Sequence, residues 1–275
     1  MRALRGNRLQ TFAFALVALQ ICLALLATWL VPYDPMGQSI VARLQGPSVA
    51  HWLGTDQLGR DLLARILHGS RITMAVCVAA VGSALIVGGA IGLMSAYYRG
   101  WLDRIAMRCM DVVFAFPILL LAIGIIAVLG SRSSSAGIAI AIVYVPIFAR
   151  LLRGPALVVC ESEYVTGAVA AGASDWRILF RHVLPNLASV IFVQTSLLLS
   201  SAILVEASLS FLGLGTQPPS PSLGLMLSEG RNVLFLSPWS AIFPGLAILF
   251  LSFGFNLLGD TLRDTLDPRL RNSTG

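Results

Sequence analysis

Apolar runs long enough to cross a bilayer recur along this chain from Thr11 to Leu258, and that repetition leaves few folds open. Of its 275 residues, 57% are hydrophobic and 12% are charged. A soluble domain carries about 25% charged residues, so a single large soluble core is excluded. Period-2 alternation is absent, and backbone groups in lipid must bond within their own segment, so the spanning elements are helices. The pattern predicts an all-α membrane protein with six spans, at residues 11–31, 74–98, 112–130, 136–158, 187–208 and 240–259. Spans of about 20 residues leave room for short loops and no separate soluble domain. This divides the chain into a tail, first span and outer loop over 1–73, a core over 74–260, and a tail over 261–275. The first apolar run, behind Arg2, Arg5 and Arg8, exceeds the 7–15 residues of a usual signal-peptide core, so we read an uncleaved first span.

The short SRSSS turn at 131–135 predicts an antiparallel hairpin between the third and fourth spans. Leu62, Leu63, Ile66 and Leu67 recur at helical spacing after the Gly54–Gly59 turn region, predicting a short interfacial helix within the outer segment 32–73. The PPSP run at 218–221 cannot continue a helix, so it should shape the outer end of the fifth span or a re-entrant element beside it. All 19 basic residues are arginine. With the N-terminus in the cytoplasm, thirteen arginines fall inside and six outside, so the positive-inside rule predicts both termini cytoplasmic. Arg60, Arg65 and Arg71 strain that topology, although Asp56 and Asp61 share their loop.

Catalytic patterns are missing. No GxxxxGK[ST] stretch is present, so the chain has no phosphate-cradling loop of its own. His51, His68 and His182 read as loop residues without ligand-like spacing, and the four cysteines lie far apart without a CxxC pair, so no metal site is expected. Ser196, Ser200 and Ser201 have no histidine at their depth, which argues against a membrane-embedded serine hydrolase. Among carboxylates near membrane depth, Asp111 and Asp260 read as solvated helix ends. Glu206, late in the fifth span, is the pathway or gate candidate, because a buried carboxylate normally faces a cavity or a partner.

The polar stretch ESEYVTGAVAAGASDWRILFRHVLPN, residues 161–186, interrupts the spans. Glu163 to Ala171 suits a helix, Gly172 can end it, and Ser174 before Asp175 suits the N-cap of a second short helix. Trp176, Leu179 and Phe180 give that helix an apolar face, with Arg177 and Arg181 polar, and Pro185 suits the first turn of the fifth span. Two short helices hinged at glycine make a knob that can seat in another protein's groove. An interfacial helix resting on lipid headgroups is the plainer reading of the same residues.

These residues resemble the coupling (EAA) loop of permease subunits in ATP-binding-cassette importers, with Gly172 and Leu184–Pro185 at the family's spacing. EYV…GASDWR…RHVLPN is similar to the dipeptide/oligopeptide/nickel branch, as are the segments at 51–71, 99–117, 207–224 and 256–270. Gly167, Val169 and Ala171 stand where alanines and a basic residue are common, and Leu223 where tryptophan is frequent. The resemblance implies a type I importer permease fold in the inner membrane. It implies four partners: a second homologous permease, two cytoplasmic ATPases and an extracytoplasmic solute-binding protein. ATP and Mg would be bound by those ATPases, with no cofactor in this chain, no enzymatic activity and no nucleic-acid partner. It further implies ATPase contact through Glu163, Tyr164, Ala168, Gly172, Asp175, Trp176, Arg177 and Arg181. The solute expected is a di- or oligopeptide, with nickel, metal chelates or opines as alternatives. A channel or scaffold without an energy source is the competing class.

Overall fold

The computed structural model describes residues 2–266. The expectation for 256–270 therefore falls partly outside the described residues, as do Arg269 and Arg271. In chain order the helices are α1 (Arg2–Leu25), α2 (Ala27–Leu30), α3 (Leu62–Tyr98), α4 (Gly100–Phe114), α5 (Ile118–Leu129), α6 (Ser133–Cys160), α7 (Glu163–Ala170), α8 (Asp175–Ile178), α9 (Ala188–Phe211), α10 (Leu223–Arg231) and α11 (Trp239–Leu266).

Four described helical runs are long and apolar enough to cross a membrane alone: α3, α6, the continuous stretch Asp175–Phe211, and α11. The α4–α5 pair makes a fifth if its two parts are counted together, and the apolar part of α1 is the shorter Gln10–Leu25. This differs from six equal spans in three places. The first span breaks at Leu26 before α2. The second starts at Leu62, so the expected interfacial helix is the opening of α3 itself, N-capped by Asp61 accepting from the Ala64 N–H at 2.8 Å. The third is not one helix over 112–130: α4 and α5 meet at 89°. Pro117 lacks an N–H and pushes Phe116 away from helical backbone, so the chain turns there.

The expected hairpin is present, with α5 and α6 packed together across the turn at Gly130. The core lies where α3, α6, α9 and α11 meet, around Tyr144, Phe148, Ile140, Ile203 and Leu209. Helices in lipid gain no hydrophobic drive to associate, so close backbone approach and interhelical hydrogen bonds carry the packing. Gly88 and Gly92, one turn apart on α3, press against the carbonyls of Val145 and Ala149 on α6, where any Cβ would collide with backbone. The buried Gln20 of α1 donates to the Phe250 carbonyl of α11 at 2.6 Å, and Ser200 of α9 donates to the Ser252 carbonyl at 2.8 Å. Ser196 and Ser201 bond carbonyls of their own helix.

At the other end from the polar stretch, the chain leaves α9 through the turn holding the cis Pro218–Pro219 bond, and α10 then packs against α9 and α11, so the PPSP run does end the helix as expected. Two buried arginines join this element to the start of α3. Arg60 Nε donates to Asp56 Oδ2 at 2.6 Å and its Nη2 to Glu229 Oε2 at 3.1 Å. Arg65 Nη2 donates to Glu229 Oε2 at 3.0 Å, and its Nη1 lies 3.1 Å from Asp56 Oδ2. Burial pushes the Glu229 carboxyl above its usual range against the pull of Arg60. Two cations and two carboxylates thus cancel, so Arg60 and Arg65 add no net charge to the outer segment. Of the histidines read as loop residues, only His51 lies in a loop, paired with Asp61 at 2.9 Å; His68 is in α3 and His182 in a π turn.

Candidate functional site

The polar stretch folds as a helix, a glycine hinge and a second helical turn that runs on into the membrane. Helix α7 ends at Ala170 with Ala171 as its C-cap, and Gly172 takes φ +78°, a left-handed conformation that glycine enters without the steric cost a Cβ imposes. Ser174 holds N-cap backbone geometry, but its side chain makes no capping bond, contrary to expectation. The second element is not a free short helix. From Asp175 it passes through α8, a π turn over Leu179–Val183 and a 3-10 turn over Leu184–Leu187 into α9, one run of 37 residues. Pro185 sits in the opening of that 3-10 turn, where a missing N–H costs nothing.

The expected single apolar face is split in two. Ile178, Leu179, Val183 and Leu187 point inward; with Val165, Ala96 and Ala156, Ile178, Val183 and Leu187 form a small core at the ends of α3 and α6. Trp176 and Phe180 point outward, 64% and 60% exposed, with rings stacked 5.5 Å apart. Glu163, Tyr164, Arg177 and Arg181 are exposed on the same segment, Ala168 is half-buried, and the Tyr164 and His182 rings lie 6.5 Å apart. Asp175 is committed within the chain: Tyr97 Oη donates to its Oδ1 at 2.8 Å and Tyr98 Oη to its Oδ2 at 3.0 Å. Arg99 adds an exposed ion pair to Glu161 at 2.9 Å. The segment therefore shows an aromatic, arginine-bearing surface outward and is tied from behind to the end of α3.

Tyr97, Tyr98, Arg99 and Glu161 were not among the sequence candidates. Two tyrosines ending a span read as an ordinary interfacial belt, and nothing local reveals that both hydroxyls reach one carboxylate 77 and 78 residues away. Glu206 is placed elsewhere. It is 1% exposed and enclosed by the chain's own helices, accepting from Thr73 Oγ1 at 2.9 Å and Ser210 Oγ at 2.7 Å. It tethers α9 to α3 rather than facing an open surface of the chain. Asp111 is exposed in the last turn of α4, where it also pairs with Arg150, and Asp260 is exposed. No group of three His, Cys, Asp or Glu side chains suited to a metal occurs among the described residues.

Residues 88–272 match the family of binding-protein-dependent transport system inner membrane components. The chain belongs to this family. The permease is 49% identical over 257 residues to the glutathione transport system permease protein of Pectobacterium atrosepticum, covering 93% of this chain and 85% of that one. It is 43% identical over 271 residues to the dipeptide transport system permease protein of Alkalihalophilus pseudofirmus, covering 98% and 89%. The solved inward-facing MetNI methionine ABC transporter has a chain of the same fold, with TM-score 0.57 over 72% of this chain and 96% of that one at 14% identity. The chain is thus a multi-pass inner-membrane permease with the type I importer fold, the membrane component of a transport system.

Proposed function

We propose that this permease is one half of the membrane channel of an ATP-driven importer of di- and oligopeptides, glutathione-like peptides included. The observation that carries the reading is the outward surface of residues 163–181, hydrogen-bonded to the end of α3 through Asp175 and continuous with α9. Two cytoplasmic ATPases seat Glu163, Tyr164, Ala168, Trp176, Arg177 and Arg181 in a groove, with Gly172 as the hinge. Their closure on ATP moves this segment, and α3 and α9 follow as levers. Both termini lie in the cytoplasm, an orientation supported by the internal neutralisation of Arg60 and Arg65 on the outer side. Solute passes between this chain and a second homologous permease, delivered by an extracytoplasmic binding protein. ATP and Mg belong to the ATPases. The substrate class rests on the relatives named for glutathione and dipeptide transport.

Purification of the tagged chain from its host in mild detergent, with mass spectrometry, tests the assembly: a second permease and two ATPases are expected. Calorimetric screening of the associated binding protein against dipeptides, glutathione and nickel chelates then tests the solute. Recovery of the chain alone would return the reading to a channel or scaffold.

A further inference from the structure

Helix α4 has no part in the coupling surface, yet its sides are sharply divided. Its inner face packs on α3 and α6, where Arg153 clasps Asp103 through two bonds of 2.6 Å. Its outer face carries Trp101, Ile105 and Val112, 70%, 56% and 65% exposed, at positions that fall on one helical stripe. Arg104 and Arg108 border that stripe and are exposed. Arg104 bonds only a carbonyl of its own helix, at 3.4 Å, and Arg108 makes no ion pair among the described residues. The two acidic residues of α4 are neutralised from α6, Asp103 by Arg153 and Asp111 by Arg150, which leaves the arginines as unbalanced positive charge. The chain bends by 89° between α4 and the apolar α5, so α4 runs across the direction of α5, at the same end of α3 as the coupling segment.

We propose that this face is a docking surface for anionic phospholipid. Trp101, Ile105 and Val112 enter the boundary between headgroups and acyl chains to a depth of about 5–10 Å, while Arg104 and Arg108 reach back to lipid phosphates. The proposal rests on the functional reading above only for the choice of the cytoplasmic leaflet.

The test uses the transporter as purified, in nanodiscs. Cys77 is buried, so Cys22→Ala and Cys160→Ala leave the exposed Cys109 of α4 to carry a bimane label. Quenching by nitroxide-labelled phosphatidylglycerol is expected to exceed quenching by nitroxide-labelled phosphatidylcholine. Two cations at a membrane surface predict a preference of up to about 30-fold, lost in R104Q/R108Q. Silence toward both lipids would overturn the proposal, since another protein would then cover the face. Equal quenching by both lipids, or a preference unchanged in R104Q/R108Q, would also overturn it. The lipid result is independent of which subunits co-purify, so failure here and failure of the importer reading are separable.

Discussion

Arg65 is 1% exposed in a membrane protein, and its charge is bearable only because Asp56 and Glu229 share it. Removing one partner of such a group leaves the others buried and uncompensated, at a cost of about 3–5 kcal/mol. Arg65→Met and Glu229→Gln should therefore each lower the thermal midpoint in detergent by several degrees, whereas Arg71→Gln, at an exposed position, should leave it unchanged. At the coupling surface a different residue-scale effect is expected. Arg177→Glu and Trp176→Ala leave the fold intact, because both side chains are exposed, but should cut ATP-driven uptake at least tenfold while the subunits still purify. Gly172→Pro should do the same through backbone geometry, since proline cannot take φ +78°. The sequence pointed to these residues by type and spacing. It did not show that Asp175 accepts from two tyrosines, because that pairing depends on where α3 ends in space.

At the scale of elements, the α3–α6 pair is held by small residues rather than large ones. Gly92→Val places a side chain against the Ala149 carbonyl and should destabilise by about 1–3 kcal/mol. Gly82 on the same helix has open space around its Cβ position, so Gly82→Ala should be neutral or slightly stabilising by the same thermal assay. The contrast tests close approach against helix propensity within one element. Hydropathy located α6 and α11 closely, because each is a continuous apolar helix. It joined the last turn of α4 to α5 as a span over 112–130, because apolar residues on both sides of Pro117 look like one run until the 89° turn is seen. It also began the second span at residue 74, because Arg65, His68 and Arg71 break the apolar run while the helix itself starts at Leu62.

For the whole molecule, the ties at the two ends of α3 join the outer segment to the coupling segment. Asp56, Arg60, Arg65 and Glu229 join α3 to α10, Glu206 joins it to α9, and Tyr97 and Tyr98 join it to Asp175. A force on residues 163–181 reaches α3 directly. Replacing both tyrosines by phenylalanine removes that tie and keeps the ring packing. The reconstituted Tyr97→Phe/Tyr98→Phe transporter should retain basal ATP hydrolysis but lose several-fold in solute uptake per ATP hydrolysed. Uptake per ATP equal to the parent protein would show that α9 alone carries the movement.

Membrane residence, the helical class, the hairpin at 131–135 and the Gly172-hinged segment were all determined by the sequence, because each follows from local hydropathy or from one residue's backbone freedom. The neutralisation of Arg60 and Arg65, the pairing of Asp175 with two tyrosines, the burial of Glu206 and the 89° bend between α4 and α5 were decided only by tertiary structure. Each depends on residues far apart in the chain or on the direction taken at a break. A charged side chain in a one-dimensional pattern carries no mark of its partner.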